Sequence, residues 1–575
     1  MLQHVSEKQF AIVHLKFCVM GCGYGCRYIY KSSRRQINQG KQMKIEDAID
    51  IALHNIAKHG DTDVFPFPFE THLFFDNHAE CKKILLDIHA NFDNYMAQSP
   101  PSTLDTLTQV GYTGFRWATQ IEPFWNAYYL ALVVSIAEEI ESSRVPIEKE
   151  SVFSYRYEWD QNTAKIFKPS TWGDYKKKSL EISHDYQYVV VTDIADFYPR
   201  IYHHRIDNAL RRLPKAGETP KKIMDLLFSF SKNVSYGLPV GGPASRILAE
   251  LALVTTDLQL SRRNIKFCRY ADDYSIFCNS KSDAYKVLVL LSEKLHNEGL
   301  SLQKKKTKII TTEEFRETSR MLDPADKTNP LAEEEQKLLN ISLRYDPYSD
   351  TADEDYEALK AAINNVDIIG ILGREVSKTT IDATVTKQAI NAIYALEPHE
   401  KYGAISTLLQ TENLSVLSPV FVLVMRAVKG VYDDIPDYGQ EYIDRQLVSL
   451  YESESELLSV DLNISYYVLA LSKRRSLAKE EILIDIFDNT TKPLIKRQVI
   501  MVMASWGCYY WLTDVKGHYS GFTEWEKRAL IIASYALGDE GKHWRTHTKD
   551  TWRPQEILIR DWYSSRSQKN MKFPI

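Results

Sequence analysis

The sequence predicts an α+β front portion, a small sheet backed by helices, followed by an all-α rear portion. Three observations predict this. Gln187 to Thr192 is a run of β-formers, Tyr188-Val189-Val190-Val191, that reads as a buried strand. Phe267 to Phe277 reads as two short strands around a turn, with helical patterns near 202–212, 220–230 and 243–258 between the strand regions. Beyond residue 320 helix follows helix with no convincing strand.

In chain order, residues 1–42 read as an N-terminal extension, either an unstructured appendage or the result of a start placed too far upstream. Cys18, Cys22 and Cys26 recur there every fourth residue, but Gly21, Gly23 and Gly25 interleave them and oppose a helix. The segment therefore reads as reduced and thiol-rich, in keeping with a cytoplasmic protein. Residues 43–185 read as mixed and mostly helical, with Tyr129, Leu130, Leu132, Val133 and Ile136 at helical spacing between Asn126 and Glu141. Residues 186–320 hold the predicted sheet. A Pro- and acid-rich stretch, Leu322 to Gln336, marks a linker over 321–345. Residues 346–575 follow as helices, among them Ser418 to Tyr432, Ile464 to Lys473, Lys492 to Trp506 and Trp525 to Leu537. Thr523 with Glu526 makes a capping box for the last of these, and Gly538 follows as a stop signal. The spacing suits either a helical repeat array or an irregular bundle.

Composition excludes broad classes rather than naming one. At 44% hydrophobic and 26% charged, the 575 residues are those of a globular chain, and no apolar run is long enough to span a bilayer. The net charge of -5 gives no sign of a nucleic-acid partner, but it averages over local patches. Lys304 to Lys308 contains four lysines. Arg211, Arg212, Lys215, Lys221 and Lys222 lie close together, and residues 541–575 hold eight Lys+Arg against three acids. In that tail Lys542-His543-Trp544-Arg545 and Trp552-Arg553 interleave cations with aromatics, which fits either single-strand binding or packing on the tail's own domain.

The chemistry-bearing residues lie between 189 and 308. The strand Val189-Val190-Val191-Thr192 ends in Asp193, followed by Ile194-Ala195-Asp196-Phe197-Tyr198. Tyr270-Ala271-Asp272-Asp273 forms a strand-turn-strand tip whose adjacent carboxylates repel unless a cation or solvent relieves them. A strand delivering Asp193 beside that tip provides for two divalent cations about 3.5–4 Å apart, the arrangement that serves phosphoryl transfer. Between them runs Gly237-Leu238-Pro239-Val240-Gly241-Gly242-Pro243-Ala244-Ser245-Arg246, a loop that opens a helix at Ser245 and allows close backbone approach. After them comes Gly299-Leu300-Ser301-Leu302 with the lysine cluster, suited to phosphates.

In order and spacing these pieces resemble motifs A, B, C and D of reverse transcriptases, over residues 110–320. The resemblance implies a right-hand polymerase, with fingers in 43–185 and a palm in 186–320. It implies Asp193, Asp272 and Asp273 as catalytic carboxylates and ligands of two Mg2+ ions, with Mn2+ as an alternative. Lys306 resembles the motif D lysine that protonates pyrophosphate, and Arg156 resembles a fingers arginine that grips triphosphate. Tyr198 matches the steric gate, with Asp196, Phe197, Pro239, Gly241 and Ser245 lining the substrate site. Pro239-Val240-Gly241, where Gln usually stands in the middle, and Ser245-Arg246 followed by Glu250 are similar to the abortive-infection and unknown-group defence-associated reverse transcriptases. That family joins its polymerase to a HEAT-like α-helical repeat domain.

The resemblance further implies dNTPs as substrates, a single-stranded DNA product, an RNA template or noncoding RNA partner or none, and DNA attached to a tyrosine. Tyr24, Tyr28, Tyr30, Tyr509 and Tyr510 are the priming candidates. A homo-oligomer and an antiphage role are expected. The alternatives are a retron- or intron-type enzyme copying a dedicated RNA, and a nucleic-acid-binding helical scaffold. Intact Asp193, Asp272 and Asp273 oppose the last.

Overall fold

The computed structural model describes residues 43–214, 216–320, 334–335, 337–339, 341 and 352–575. Cys18, Cys22, Cys26, Tyr24, Tyr28, Tyr30, Lys215 and most of the linker lie outside the described residues. The described residues form two compact units, one of 43–103 with 118–320, the other of Leu104–Trp117 with the residues from 334 onward.

The first unit is built on two helices in contact, α1 (Ile45–His59) and α2 (Pro123–Ser135). α1 is amphipathic and buries Ala48, Ile49, Ala52, Leu53 and Ile56. α2 is buried on every side. It begins three residues before the predicted start because the Glu122 carboxylate caps the Trp125 N–H at 2.9 Å and Pro123 occupies the first turn. It breaks at Ile136, where the expectation ran on to Glu141, and a separate short helix, Ala137–Ser143, follows.

The four-stranded sheet has the order Lys266–Tyr270, Asp273–Cys278, Tyr188–Asp193, Lys308–Thr311, every neighbour antiparallel. In chain order these are β3 (Tyr188–Asp193), β4 (Lys266–Tyr270), β5 (Asp273–Cys278) and β6 (Lys308–Thr311), preceded by two-stranded pairs β1 (Thr103–Val110) with β2 (Gly114–Ile121), and Tyr157–Asp160 with Lys165–Phe167. These pairs interrupt a region that the sequence reads as mostly helical. β1 has hardly a buried residue, so no apolar alternation announces it. One face of the sheet carries Val189, Cys268 and Phe277 against Tyr175, Ile182 and Phe315, and the Tyr175 hydroxyl meets Ser275 Oγ at 2.8 Å.

The opposite face carries charge. The helix α3 (Pro243–Arg262) brings Glu250 and Asp257 over β4, where Arg269 stands fully buried. Arg269 donates to Asp257 Oδ1 and Oδ2 at 3.0 and 2.6 Å, to Glu250 Oε2 at 2.8 Å and to the Ala271 carbonyl at 2.8 Å. Arg144 and the Ser154 hydroxyl also reach Glu250, each at 2.6 Å. Burial alone would raise the Glu250 carboxyl, but Arg269 and Arg144 overcome it and hold the group below its ordinary value.

The second unit is helical throughout 352–575. Phe421–Val431, Asp461–Leu471, Pro493–Ser505, Glu524–Ala533 and Pro554–Gln568 each pack on the next, with intervening helices between them. The expected capping box forms, Thr523 N–H and Oγ1 both meeting Glu526 Oε2 at 2.8 Å. That helix ends at Ala533, and Gly538, at φ 55°, opens the next helix. The 104–117 segment belongs to this unit: Tyr112 donates to the Val416 carbonyl at 2.8 Å and accepts from Ile381 N–H at 2.9 Å. Among the described residues no helix is long and apolar enough to cross a membrane.

Removing the Arg269 guanidinium takes the arginine from Asp257 and leaves Arg144 to face two buried carboxylates. Arg269→Met should cost about 3–5 kcal/mol of stability, read as a lowered thermal midpoint. Adding Glu250→Gln to it should recover part of the loss.

Candidate active site

The site forms where β3 ends beside the β4–β5 turn. Asp193 and Asp273 are directly paired across the two strands, and Ile194 N–H donates to the Asp272 carbonyl at 3.1 Å. The connection between Tyr270 and Asp273 is only Ala271-Asp272, and Ala271 takes a left-handed φ of 51°. That conformation disfavours a residue with a Cβ by about 1–2 kcal/mol. The Ala271 carbonyl is held by Arg269, so the buried network sets the tip that presents Asp272 and Asp273.

Like charges gathered at one place shift each other. Burial first, then the Asp193 charge, push the Asp272 carboxyl up to about 7. The same two causes raise Asp273. Asp193 Oδ1 is buried without a hydrogen-bond partner among the described residues. Its Oδ2 accepts from Lys306 Nζ. Lys306 is delivered by a segment that lies along the end of β3, where Ala195 N–H donates to the Ser301 carbonyl and Gln303 N–H to the Asp193 carbonyl, at 2.8 and 2.7 Å. The lysine remains 66% exposed, and its hydrogen bond to Asp193 raises its ammonium.

No group of three His, Cys, Asp or Glu side chains among the described residues is gathered closely enough to hold a metal as it stands. The donor set nevertheless fits a divalent cation. Three carboxylates crowd one tip, one buried oxygen lacks a partner among the described residues, and the lysine hydrogen-bonded to Asp193 reaches it by an exposed, flexible side chain.

Tyr198 follows Asp193 through Asp196, which is exposed at a left-handed φ of 48°, and Phe197, which is buried and edge-on to the tyrosine at 5.4 Å. Burial raises the Tyr198 hydroxyl well above 10, and the charges of Arg246 and Asp272 act on the same group. The Leu238 N–H donates to the Tyr198 carbonyl at 3.0 Å, which fixes the loop holding Pro239 and Gly241 beside it. Ser245 is buried with Pro239 in a small cleft that Asp61, Gln120, Asn126 and Tyr129 also line.

Gly241, at φ 112°, lets the Asp61–Val64 segment come close: a Cβ there would stand 2.3 Å from Thr62 Oγ1 and 3.2 Å from Asp63 Oδ1. The sequence gives no sign of this contact, since the partner lies about 180 residues upstream.

Arg156 corrects an expectation. It is 2% exposed, and its guanidinium is engaged by Glu141 Oε1 at 2.7 Å and the Val145 and Val152 carbonyls at 2.7 and 3.1 Å. Such a group is engaged in anchoring the interior. The C-terminal aromatic–cation tail is likewise turned onto its own unit. Arg545 stacks on Tyr535 at 3.6 Å, Trp544 packs on Tyr519 and Trp552, and the Arg553 N–H meets Glu556 at 2.8 Å. Tyr509 and Tyr510 are exposed in the helical unit, the latter donating to Glu480 at 2.9 Å.

Residues 136–339 match the family model "Reverse transcriptase (RNA-dependent DNA polymerase)". No curated protein matches the chain. Among solved structures it is similar to apo telomerase from Candida tropicalis at 10% identity, over 67% of this chain and 73% of that one, with a TM-score of 0.27.

Two outcomes test this geometry. Gly241→Ala should destabilise the fold by about 1–3 kcal/mol through strained backbone and the Thr62 contact, read by denaturant unfolding. Asp61 is buried and its carboxyl is raised by that burial to about 7 from 3.8, with Glu70 adding to the rise. The folded state therefore holds a proton that the unfolded state loses, so wild-type stability should fall as pH climbs from 3.8 to about 7. In Asp61→Asn that slope should be shallower across the same window.

Proposed function

We infer that the chain, whose residues 136–339 match the reverse transcriptase family model, is a reverse transcriptase-like RNA-directed DNA polymerase. We propose that Asp193, Asp272 and Asp273 form its catalytic centre and that it extends a DNA strand from dNTPs. The observation that carries this reading is the partnerless buried oxygen of Asp193 in a three-carboxylate cluster inside the matched span. In the reaction the 3′-hydroxyl of the strand, or a tyrosine hydroxyl at initiation, gives up its proton to solvent as its oxygen forms a bond to the α-phosphorus. The bond from that phosphorus to the β-phosphate breaks, and pyrophosphate leaves. The three aspartates would hold two divalent cations, Mg2+ by preference, which when bound neutralise charge gathering on the phosphates.

The remaining work falls to this chain's own groups. Lys306 Nζ, exposed and kept protonated beside Asp193, supplies a proton to the leaving pyrophosphate. The Tyr198 ring, wedged against Phe197, excludes a ribose 2′-hydroxyl and so selects dNTPs. Pro239, Gly241 and Ser245 shape the loop and helix start beside Tyr198, on the substrate side of the palm in this reading.

We read the chain further as an antiphage enzyme of the abortive-infection and unknown-group kind, with residues 346–575 as its HEAT-like repeat domain. Val240 in the middle of the Pro-x-Gly loop supports this. So does Glu250, which here serves the buried Arg269 network rather than a substrate contact. Stacking of alternate helices from Phe421–Val431 to Pro554–Gln568 supports the repeat reading. In this reading the chain is a cytoplasmic homo-oligomer whose product is single-stranded DNA, grown with or without an RNA template and primed from a tyrosine, with Tyr509 and Tyr510 as exposed candidates.

Asp272→Ala and Asp273→Ala should each lower dNTP incorporation by at least about 100-fold, while circular dichroism and thermal midpoint stay near wild type. Undiminished incorporation by either variant overturns the assignment. Mass spectrometry after nuclease trimming should find a nucleotide on one tyrosine if the enzyme primes from itself.

A further inference from the structure

With Arg156 committed to the interior, a different guanidinium stands near the palm tip. Arg246 lies in the first turn of α3, directly after the Gly241-Gly242-Pro243 loop. Its guanidinium sits 5.2 Å over the Tyr155 ring. Tyr155 is itself set by a left-handed φ of 45° and packs between Phe167 and Tyr270, at 5.4 and 6.0 Å. Tyr270 is the residue immediately before the Ala271-Asp272 turn. The Tyr198 hydroxyl lies within electrostatic reach of both Arg246 and Asp272.

Among the described residues Arg246 has one ion-pair partner, Asp63. Asp63 Oδ2 accepts from its Nη2, and the aspartate side chain is 62% exposed while the arginine is 24% exposed. An ion pair at that exposure adds little to stability. A planar guanidinium whose face is fixed by an aromatic ring, and whose edge is held among the described residues by a solvated carboxylate, is prepared to exchange that carboxylate for a stronger anion. Gly241 keeps Asp63 within reach of the loop, since a Cβ there would press on Asp63 Oδ1.

We propose that Arg246 binds a nucleotide phosphate at the palm and that Asp63 is the placeholder this phosphate displaces. The inference rests on the polymerase reading above and adds a substrate contact to it. Phosphate offers the paired oxygens and the charge that a guanidinium recognises bidentately, and lysine cannot reproduce that geometry. The phosphate comes either from the incoming nucleoside triphosphate or from a strand backbone.

Equilibrium binding without turnover tests it, using dGTP with Mg2+ as one probe and a labelled oligodeoxythymidylate 20-mer across a salt series as the other. Arg246→Ala should weaken one of the two about 10-fold or more, Arg246→Lys should restore only part of the loss, and Asp63→Ala should tighten the same ligand about 2- to 5-fold. Weaker dGTP binding with an unchanged strand identifies the incoming nucleotide. Weaker strand binding, with a salt slope reduced by about one, identifies the backbone. If Arg246→Ala melts like wild type and leaves both affinities within about twofold, the proposal is overturned. Should Arg246→Ala fail to fold, Arg246→Lys and Asp63→Ala decide, and two unchanged affinities in both overturn it equally. A wild type that binds but incorporates nothing would sink the polymerase reading and leave this test intact.

Discussion

The Arg269 guanidinium carries its charge into an interior without solvent, and the front unit is arranged around the means of keeping it there. An isolated ion at such a depth costs several kcal/mol. Here Arg269 and Arg144 face Glu250 and Asp257, two charges of each sign, so the group is neutral as a whole. The Tyr274 hydroxyl and the Ala271 carbonyl take up further valences at 3.1 and 2.8 Å. The ion network ties α3 to β4 through named atoms and, through the Ala271 carbonyl, reaches the turn that carries Asp272. Nearby, a carboxylate cluster that repels itself is held by backbone bonds to Asp193 and Asp272 and by Lys306.

The carboxylates were legible in the sequence because each marks a local discontinuity. Asp193 ends a run of β-formers, and Asp272 and Asp273 interrupt two others at a turn. The helices of the rear unit were legible for a similar reason, as with the Thr523–Glu526 capping box. The groups that position the site were not, since they act across distance. Arg269 meets Asp257 from another element, and Arg246 meets Asp63 across 183 residues. One local signal was present: a lone arginine inside Phe267-Cys268-Arg269-Tyr270, a strand whose neighbours are buried. A charge in such a run needs a buried partner, and Glu250 and Asp257, one face of the preceding helix, were the acids within reach.

Arg156 and the C-terminal tail teach the complementary lesson. The resemblance implied a triphosphate contact for Arg156, and the tail's alternating cations and aromatics fitted either single-strand binding or packing on its own domain. The same properties that suit them to phosphates and bases, planarity and polarisable faces, suit them to internal packing. Glu141 claims Arg156, and Tyr535 claims Arg545. Which use prevails is decided by whether an acid or an aromatic ring of the same chain lies within reach, and that is a property of the fold.

The Leu104–Trp117 segment has a temporal consequence. It is made early, yet its hydrogen-bond partners Ile381, Val416 and Ser418 follow it by 269, 304 and 309 residues. At about 5–20 residues per second of synthesis, the ribosome would add those residues roughly 15–60 s after Tyr112. Phe115 and Trp117 in the same segment remain 56% and 58% exposed even in the finished unit. Ile381, Val416 and Ser418 are thus all made after the last described residue of the front unit, 320.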